Sequence, residues 1–498
     1  MTCQQLSAKC LNNILEYFEN DKISLHSYLL VNHLWCQTSV RILWRNIWGF
    51  RYNVLSKPYK THVSSAILST LIACLPDESR DLLYTNGIFI PTPTSKPPLF
   101  NYLSFSEVLS IRRINQIIDD SFKNQQIDTS RSLNYNKYLV SQELLKAFMN
   151  HVSSLKSLDY GLEFLEKVQK IPFIYFPGAK DCLTDLSLFI CDSDIGSEFF
   201  YQFSQICRNI RTLSIIFRSN VSRGLKELIS LQRNLEHLEL SASNNQAWTD
   251  IIPALEKHSN TLTKLNLHGD IIPLSFLNLL INLQELVIPN SSQIFNELQH
   301  VTIPKLRSLR ISTFFDPAYI IFSECMRDEI LVKFLENNGK HLNELYIDSI
   351  NKSLKLSIAR FCPNLKNLYI IFKNNELDLL KTIFYNCQHL ESIKIWRGGN
   401  YINEKELLEV FAKHSPKSFH ELKIHNRVQS ELLPGDLRSF FISWGNRIPQ
   451  KPLTLIIENY DYDYGLDVNE ENNIKVIEKF KTLGVIKKFR IEKFDEKD

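Results

Sequence analysis

The sequence is poor in glycine, with 14 glycines in 498 residues. It therefore offers few of the glycine-rich loops that cradle phosphates, and collagen-like or low-complexity structure is excluded. The ten cysteines are dispersed and form no Cys-x-x-Cys pair, which indicates neither a zinc ribbon nor a disulfide framework. We expect them to be buried, reduced thiols.

The chain also lacks an excess of charge and any long apolar run. Its formal net charge of +3 gives no indication of a nucleic-acid partner. No stretch approaches the roughly 20 apolar residues that cross a bilayer, and the N-terminus has no basic segment followed by an apolar core. We expect a soluble intracellular protein, cytoplasmic or nuclear, with no membrane partner.

Catalytic motifs are missing as well. We find no Gly-x-Ser-x-Gly, no His-Glu-x-x-His and no Gly-x-x-x-x-Gly-Lys phosphate loop. An acidic, aromatic run from Glu458 to Tyr464 carries three carboxylates, but nothing nearby suggests a closed pocket, so a solvated loop is the favoured interpretation. We expect no enzymatic activity, no metal and no cofactor. A hydrolase or transferase with an unfamiliar site is the remote alternative.

The feature that recurs instead is the pattern apolar-x-x-apolar-x-apolar, from about residue 150 onward. Copies that start at residues 183, 210, 235 and 262 give a period in the twenties, the signature of leucine-rich repeats. Helical segments between the copies are predicted at Glu198–Cys207, Trp248–His258, Leu377–Tyr385 and Glu404–His414. The copies are Leu155/Leu158/Tyr160, Leu183/Leu186/Leu188, Ile210/Leu213/Ile215, Leu235/Leu238/Leu240, Leu262/Leu265/Leu267, Leu283/Leu286/Ile288, Leu306/Leu309/Ile311, Leu342/Leu345/Ile347, Leu365/Leu368/Ile370, Leu390/Ile393/Ile395 and Phe419/Leu422/Ile424, with weaker ones at Leu453–Ile457 and Ile486/Phe489/Ile491.

Each copy predicts one strand, because apolar residues two apart on a strand face the same side. One strand and one helix cannot bury that side alone, so the units must stack. The fold class is therefore α/β, a right-handed leucine-rich-repeat solenoid with a parallel strand ribbon and outer helices. Leucines at the central anchor should be buried, namely Leu238, Leu265, Leu286, Leu309, Leu345 and Leu368.

Three regions follow from these patterns. Residues 1–50 predict three short helices, residues 51–150 a helical linker and solenoid cap, and residues 151–498 the solenoid. Within the linker we expect helices at Val63–Leu75, Leu103–Ile118 and Val140–Val152.

The first 50 residues resemble the F-box, in its divergent fungal form. Leu6, Leu11 and the pair Ile14-Leu15 follow the family's intervals, Val31 to Trp35 reads Val-x-x-x-Trp, and Leu43-Trp44 matches the closing Leu-Trp. Ser7 stands where the family usually has Pro, and Asn32 where Cys is common. An F-box ahead of leucine-rich repeats is a known family architecture.

This resemblance implies a substrate-recognition subunit of a cullin–RING ubiquitin ligase. The F-box would bind a Skp-type adaptor, which bridges to the cullin, and the repeats would bind an unknown target protein. One interpretation stays open beside it: a leucine-rich-repeat binding scaffold with no ubiquitin role, whose N-terminal helices only cap the repeats. The residues that the resemblance assigns to the adaptor surface or the core beneath it are Leu6, Leu11, Ile14, Leu15, Val31, Trp35, Leu43 and Trp44.

The strand pattern also selects a candidate target site. The residue between the last two anchors of a copy points away from the core, as does the residue after the copy. Exposed aromatic residues are enriched where proteins bind, and basic neighbours would suit an acidic or phosphorylated segment. We expect the target to contact Tyr346, Tyr369, Lys394, Trp396 and Lys423.

Overall fold

The computed structural model describes residues 7–49, 57–93, 96–122, 130–161, 171–218, 221–242, 247–269, 273–289, 297–312, 328–347, 351–397, 403–426, 432–449, 451–459 and 470–493. The chain divides into two compact units. The first comprises Met1–Glu239 with Gln246–Leu255, and the second comprises Leu240–Asn245 with Glu256–Asp498.

The first unit begins with helices and continues as strand–helix repeats. Its helices are α1 (Ala8–Glu16), α2 (Lys22–Tyr28), α3 (His33–Arg45), α4 (Lys57–Ala73), α5 (Asp77–Thr85), α6 (Ile111–Phe122), α7 (Ser130–His151), α8 (Ala179–Leu183), α9 (Ser197–Ile206), α10 (Arg223–Ser230) and α11 (Ile252–Leu255). Its strands are β1 (Val108–Ser110), β2 (Ser157–Tyr160), β3 (Leu188–Asp192) and β4 (Thr212–Phe217), which pair in parallel and in chain order. The division between the units falls within β5 (His237–Ala242).

The second unit repeats the same arrangement. Its strands are β6 (Lys264–Gly269), β7 (Glu285–Pro289), β8 (Ser308–Ser312), β9 (Glu344–Ile347), β10 (Asn367–Ile371), β11 (Ser392–Arg397), β12 (Glu421–Asn426), β13 (Leu453–Asn459) and β14 (Ile486–Lys493). Neighbours in chain order pair in parallel throughout. Its helices are α12 (Asp328–Asn338), α13 (Lys352–Phe361), α14 (Leu377–Asn386), α15 (Glu404–His414), α16 (Pro434–Gly445) and α17 (Glu470–Thr482). The predicted α/β class and the strand–helix order of a solenoid are confirmed.

The apolar anchors lie in register across the strands. Leu286 pairs with Leu309, Leu309 with Leu345, and Leu345 with Leu368. All six central leucines named above are buried, as predicted. Each repeat therefore closes the apolar side of its neighbour, which no repeat could do alone.

One copy of the pattern was assigned to the wrong residues. Leu158 pairs with Phe189 and Tyr160 with Cys191, so the inward positions of β3 are Phe189 and Cys191. Leu188, which the pattern took as an anchor, is only half-buried. The leucine spacing was misleading because phenylalanine and cysteine fill the same inward positions here.

The predicted helix Leu103–Ile118 was also wrong in part. A 3-10 turn (Tyr102–Phe105) and β1 occupy its first half, and α6 begins only at Ile111. The strand forms because β1 pairs with β2, more than 40 residues further along the chain. Strands therefore begin inside the segment that the pattern assigned to a helical linker.

Buried amide side chains connect successive repeats at the ends of their helices. The Gln232 side chain accepts a hydrogen bond from the Ile210 amide and donates to the Cys207 carbonyl, both at 3.0 Å. Asn338 donates in the same way to the Val301 carbonyl, at 2.9 Å. These bonds satisfy backbone groups that the strand ladder does not reach.

Cysteines hold similar positions in other repeats. The Cys207 thiol donates to the Leu183 carbonyl at 3.3 Å, and the Cys387 thiol to the Cys362 carbonyl at 3.4 Å. Burial raises the pKa of the Cys387 thiol to about 12. Every cysteine in the described ranges is free, and five are buried as expected: Cys182, Cys191, Cys207, Cys362 and Cys387. Cys10 is exposed, and Cys3 and Cys325 lie outside the described residues.

No helix within the described ranges is both long and apolar enough to cross a bilayer.

Replacement of Leu345 by Ala is expected to lower the free energy of unfolding by about 2–5 kcal/mol, because it leaves a cavity under the ribbon. The same change at Leu356, which is exposed on α13, should cost less than about 1 kcal/mol. Urea unfolding of both variants measures the difference. Equal losses in the two variants would contradict the continuous packing of the anchors.

Candidate functional site

Three N-caps define the helices of the N-terminal unit, residues 7–49. The side-chain oxygens of Ser7, Asp21 and Asn32 accept hydrogen bonds from backbone amides at the starts of α1, α2 and α3. The Asn32 bond, from the Trp35 amide, is 3.0 Å long. Ser7 and Asn32 are two of the positions at which the chain departs from the F-box consensus. Both residues are strong N-caps, so the departures start helices and do not disrupt them.

The candidate adaptor residues divide between core and surface. Leu11, Leu15 and Leu43 are buried, and so is Trp44, whose ring packs 4.6 Å from that of Tyr102. The surface members are Ile14 and Val31, with 43% and 55% of their area exposed, and Trp35, which is half-buried. Leu6 lies outside the described residues.

A chain of aromatic rings connects the three helices. Phe18 lies 5.5 Å from Tyr28, and Tyr28 lies 5.2 Å from Trp35, both edge to face. Ile14 is one helical turn before Phe18, and Val31 follows Tyr28 by three residues. We call these five residues the helical patch. Phe18 and Tyr28 were not among the predicted adaptor residues, although Phe18 stands four residues after Ile14, the spacing of one helix face.

The N-terminal unit is bound firmly to the first strand. The Trp48 indole donates to the Val108 carbonyl at 2.8 Å, and the Glu107 amide donates to the Arg45 carbonyl at 3.0 Å. The Arg45 guanidinium meets Glu16 at 2.7 Å and Glu107 at 3.1 Å. Its hydrogen bonds hold the pKa of Glu16 below the ordinary value. One side of the unit is thus joined to β1 and to the residue before it.

The second unit presents a row of large polar and aromatic side chains on its strands. Arg310, Tyr346, Tyr369, Lys394 and Lys423 are aligned in register from β8 to β12. The Arg310 guanidinium lies 4.5 Å from the Tyr346 ring centre, and the two tyrosine rings are 6.3 Å apart. The Lys394 ammonium lies 5.5 Å from the Tyr369 ring. We call these five residues the strand-face patch.

Trp396 does not belong to this surface. The pattern placed it on the open face, but only 5% of its area is exposed. It is aligned between Ile371 and His425, both of which are also buried. The large side chains of this row shield one another from solvent, so the row forms a second packed layer. The prediction that Trp396 lies on the open face was wrong.

Glu458 extends that buried row, contrary to the predicted solvated loop. It lies in β13, its carboxylate is 2.7 Å from the Lys394 ammonium and 3.5 Å from the His425 imidazole, and the carboxylate side chain is 11% exposed. Burial alone would raise the pKa of Glu458, but the hydrogen bonds and charges of His425 and Lys394 outweigh it and lower that pKa. The rest of the acidic run, Tyr460–Tyr464, lies outside the described residues.

The lysines of the strand-face patch are therefore already paired. Lys394 is committed to Glu458, and Lys423 lies 3.4 Å from the Glu421 carboxylate. The patch offers two tyrosine rings, with the paired Lys394 beside one and the Arg310 guanidinium beside the other. Such a surface suits an aromatic or apolar side chain better than the acidic segment expected from the sequence.

Across the described ranges, no group of three or more His, Cys, Asp or Glu residues is placed to hold a metal ion.

No protein-family model matches the chain, and no curated protein matches it. Among solved structures it is similar to a chain of the Rad7 and Elc1 complex in yeast. The two are 16% identical, the match covers 57% of this chain and 78% of that one, and the TM-score is 0.37.

Replacement of Lys394 by Met should leave the Glu458 carboxylate buried without its cation. We expect the free energy of unfolding at pH 7 to fall by about 3 kcal/mol. Because the folded-state pKa of Glu458 is lowered, its stabilisation is present above its ordinary pKa of 4.5 and is lost as the pH falls through the folded value. The difference in the free energy of unfolding between variant and wild type should therefore become smaller at acidic pH.

The matched control is Lys423→Met, which removes a more exposed pair. It should cost less than about 1 kcal/mol and show no such narrowing. Urea unfolding between pH 7 and pH 3 tests both variants. If the difference in unfolding free energy between Lys394→Met and wild type stays constant with pH, the loss of stability does not come from the Glu458 carboxylate.

Proposed function

We propose that the protein is the substrate-recognition subunit of a cullin–RING ubiquitin ligase. The N-terminal unit binds a Skp-type adaptor and, through it, a cullin, while the repeats bind a target protein. The chain itself performs no catalysis and needs no metal or cofactor. It acts in the cytoplasm or the nucleus.

The observation that carries the proposal is the helical patch. Beside Ile14 and Val31, the apolar side chains of Tyr17, Ile23 and Leu30 are exposed in the same stretch of chain, between residues 14 and 31. An ordinary soluble surface seldom concentrates so many large apolar residues unless a partner covers them. Three short helices that expose apolar side chains ahead of a repeat array are the arrangement expected of an F-box.

The cap-only alternative explains one side of the N-terminal unit and not the other. Trp48 and Arg45 bind the first strand, which a cap requires. A cap has no need of exposed Ile14, Tyr17 or Leu30, because a capping element presents a polar outer face. This difference favours an adaptor-binding unit that also caps the repeats.

The mechanism follows from tethering. An adaptor bound to the N-terminal unit fixes the position of the repeats relative to the ubiquitin-charged conjugating enzyme. A target held on the repeats then experiences a high effective concentration of that enzyme. Trp48 and Arg45 bond the N-terminal unit, residues 7–49, to β1. No flexible linker therefore separates the adaptor-binding helices from the first strand of the repeats.

The strand-face patch is the candidate site for the target. Tyr346 and Tyr369 lie side by side on paired strands, and Arg310 and Lys394 flank them on the two adjacent strands. Their positions are fixed by the ladder, so little side-chain entropy would be lost on binding. The second candidate function, a binding scaffold without a ubiquitin role, would use the same patch and differs only in lacking adaptor binding.

Replacement of Ile14 and Val31 together by Glu is expected to weaken co-purification with a Skp-type adaptor at least about tenfold, because it places charge in the apolar contact. Both residues are exposed, so the helices should remain folded. The matched control replaces Leu356 and Ile442 by Glu; these residues are equally exposed, on α13 and α16. It should leave adaptor binding unchanged. Adaptor that binds the first variant as well as wild type would exclude the F-box function.

Replacement of Tyr346 and Tyr369 by Ser should stabilise the target in cells without loss of adaptor binding. Targets are identified as proteins that accumulate when the Ile14→Glu, Val31→Glu variant replaces the wild type, by quantitative mass spectrometry. Their half-lives should lengthen in the tyrosine variant. The half-lives should stay normal when Tyr201 and Tyr385, which are exposed on α9 and α14, are replaced by Ser instead. Normal half-lives in a folded tyrosine variant would place the target site elsewhere.

A further inference from the structure

Strand β14 forms an open edge of the second unit. It pairs in parallel with β13 on one side, and no strand that the structure describes pairs with its other side. Alternate residues of a parallel strand direct their backbone N–H and C=O groups to one neighbour, so the remaining groups of β14 point away from β13. An edge of this kind is a template on which a further strand can pair.

The apolar side of β14 is open as well. Phe489 and Ile491 are aligned with Leu455 and Ile457, the inward anchors of β13. The two β13 anchors are 2% and 3% exposed, whereas Phe489 is half-buried and Ile491 is 41% exposed. The difference arises because β14 covers β13, while no described strand covers β14. A further strand at this edge would bury both side chains.

The opposite face of β14 is basic. Lys488 and Arg490 alternate with Phe489 and Ile491 along the strand, and Lys487 stands where the register with β13 shifts. Within the described ranges, no ion pair joins Lys487 or Lys488 to a carboxylate. Two copies of this edge would place like charges together, which opposes pairing of the protein with itself. The same charges favour a strand that carries acids.

From this combination we infer that the β14 edge binds an extended segment of another protein in which acidic residues alternate with apolar ones. The segment joins the sheet as a further parallel strand, about 4.8 Å from β14. Its backbone satisfies the open N–H and C=O groups of β14. Its apolar side chains cover Phe489 and Ile491, and its acids lie opposite Lys488 and Arg490. The helical patch and the strand-face patch take no part, so the inference does not depend on the proposed function.

The probe is a fluorescein-labelled peptide of about ten residues in which Val and Glu alternate, long enough to pair with all of β14. Its binding to the full-length protein is measured by fluorescence anisotropy. It should bind at least about tenfold more tightly than a peptide of alternating Val and Lys. A third peptide has the Val-Glu composition with the two residue types in separate blocks. It should bind as weakly as the Val-Lys peptide, because only alternation places the valines and the glutamates on opposite faces.

Methylation of the peptide's backbone nitrogens separates strand addition from a purely electrostatic contact. An added strand donates hydrogen bonds to β14 from alternate residues only. Methyl groups on one alternate set of amides should therefore abolish binding, and methyl groups on the other set should leave it nearly unchanged. Equal effects of the two methylation patterns would overturn the inference.

Charge reversal tests the assigned residues. The double variant Lys488→Glu, Arg490→Glu should bind the Val-Lys peptide more tightly than the Val-Glu peptide, a gain that also shows that the variant is folded. The matched control, Lys479→Glu with Lys481→Glu, makes the same change of net charge at exposed positions of α17 and should keep the wild-type preference.

Two further results would contradict strand addition by an acidic segment. One is a control variant that loses the preference as fully as the β14 variant, because the effect would then come from net charge alone. The other is a wild-type dimer in sedimentation that the Lys488→Glu, Arg490→Glu variant fails to form, because the edge would then belong to a second copy of the chain.

Discussion

Everything in this protein depends on the fact that one strand and one helix cannot bury their own apolar side. Leu286, Leu309, Leu345 and Leu368 are aligned in consecutive strands, and each closes the space beside the next. Hydrophobic burial at about 25 cal/mol per Å² makes this stacking the main source of stability. Because the strands are parallel and follow chain order, every outward position is repeated at the strand spacing of about 4.8 Å. That repetition creates rows of side chains that no single repeat contains.

Stacking also creates a polar problem, which the chain solves with buried amides and thiols. Helix ends leave backbone groups that the strand ladder does not satisfy. Gln232 and Asn338 bond to those groups across repeats, and Cys207 and Cys387 do so more weakly. The positions of Cys207 and Cys387 are thus explained by the helices that end at them. Burial, which raises the pKa of the Cys387 thiol to about 12, also keeps these thiols protonated.

The rows of side chains on the strands of the second unit differ in how far their charges are buried and paired. Along the row of Trp396 and His425 the side chains are buried, and the acid Glu458 is held by Lys394 and His425. The neighbouring row of Arg310, Tyr346 and Tyr369 is half-buried. At the strand edge, before β8 and β9, Arg307 and His341 are exposed. Along the strands, from the row of Trp396 to the strand edge at Arg307, the side chains change from buried to half-buried aromatic and then to exposed basic. The N-terminal unit shows a similar division, with Trp48 bonded to the first strand and Ile14 exposed.

The sequence by itself determined the repeat, the α/β class and the inward leucines, because the anchor spacing is counted many times over and each copy reports the same geometry. It also located three N-terminal helices. Tertiary structure alone decided which outward positions stay open. Trp396 and His425 obey the strand alternation, yet they are buried because their neighbours in other repeats are large and aligned with them. Non-local pairing likewise turned Val108–Ser110 into a strand and moved the anchors of β3 to Phe189 and Cys191. Alternation is a local property of one strand, whereas exposure depends on residues that the chain brings together only by stacking.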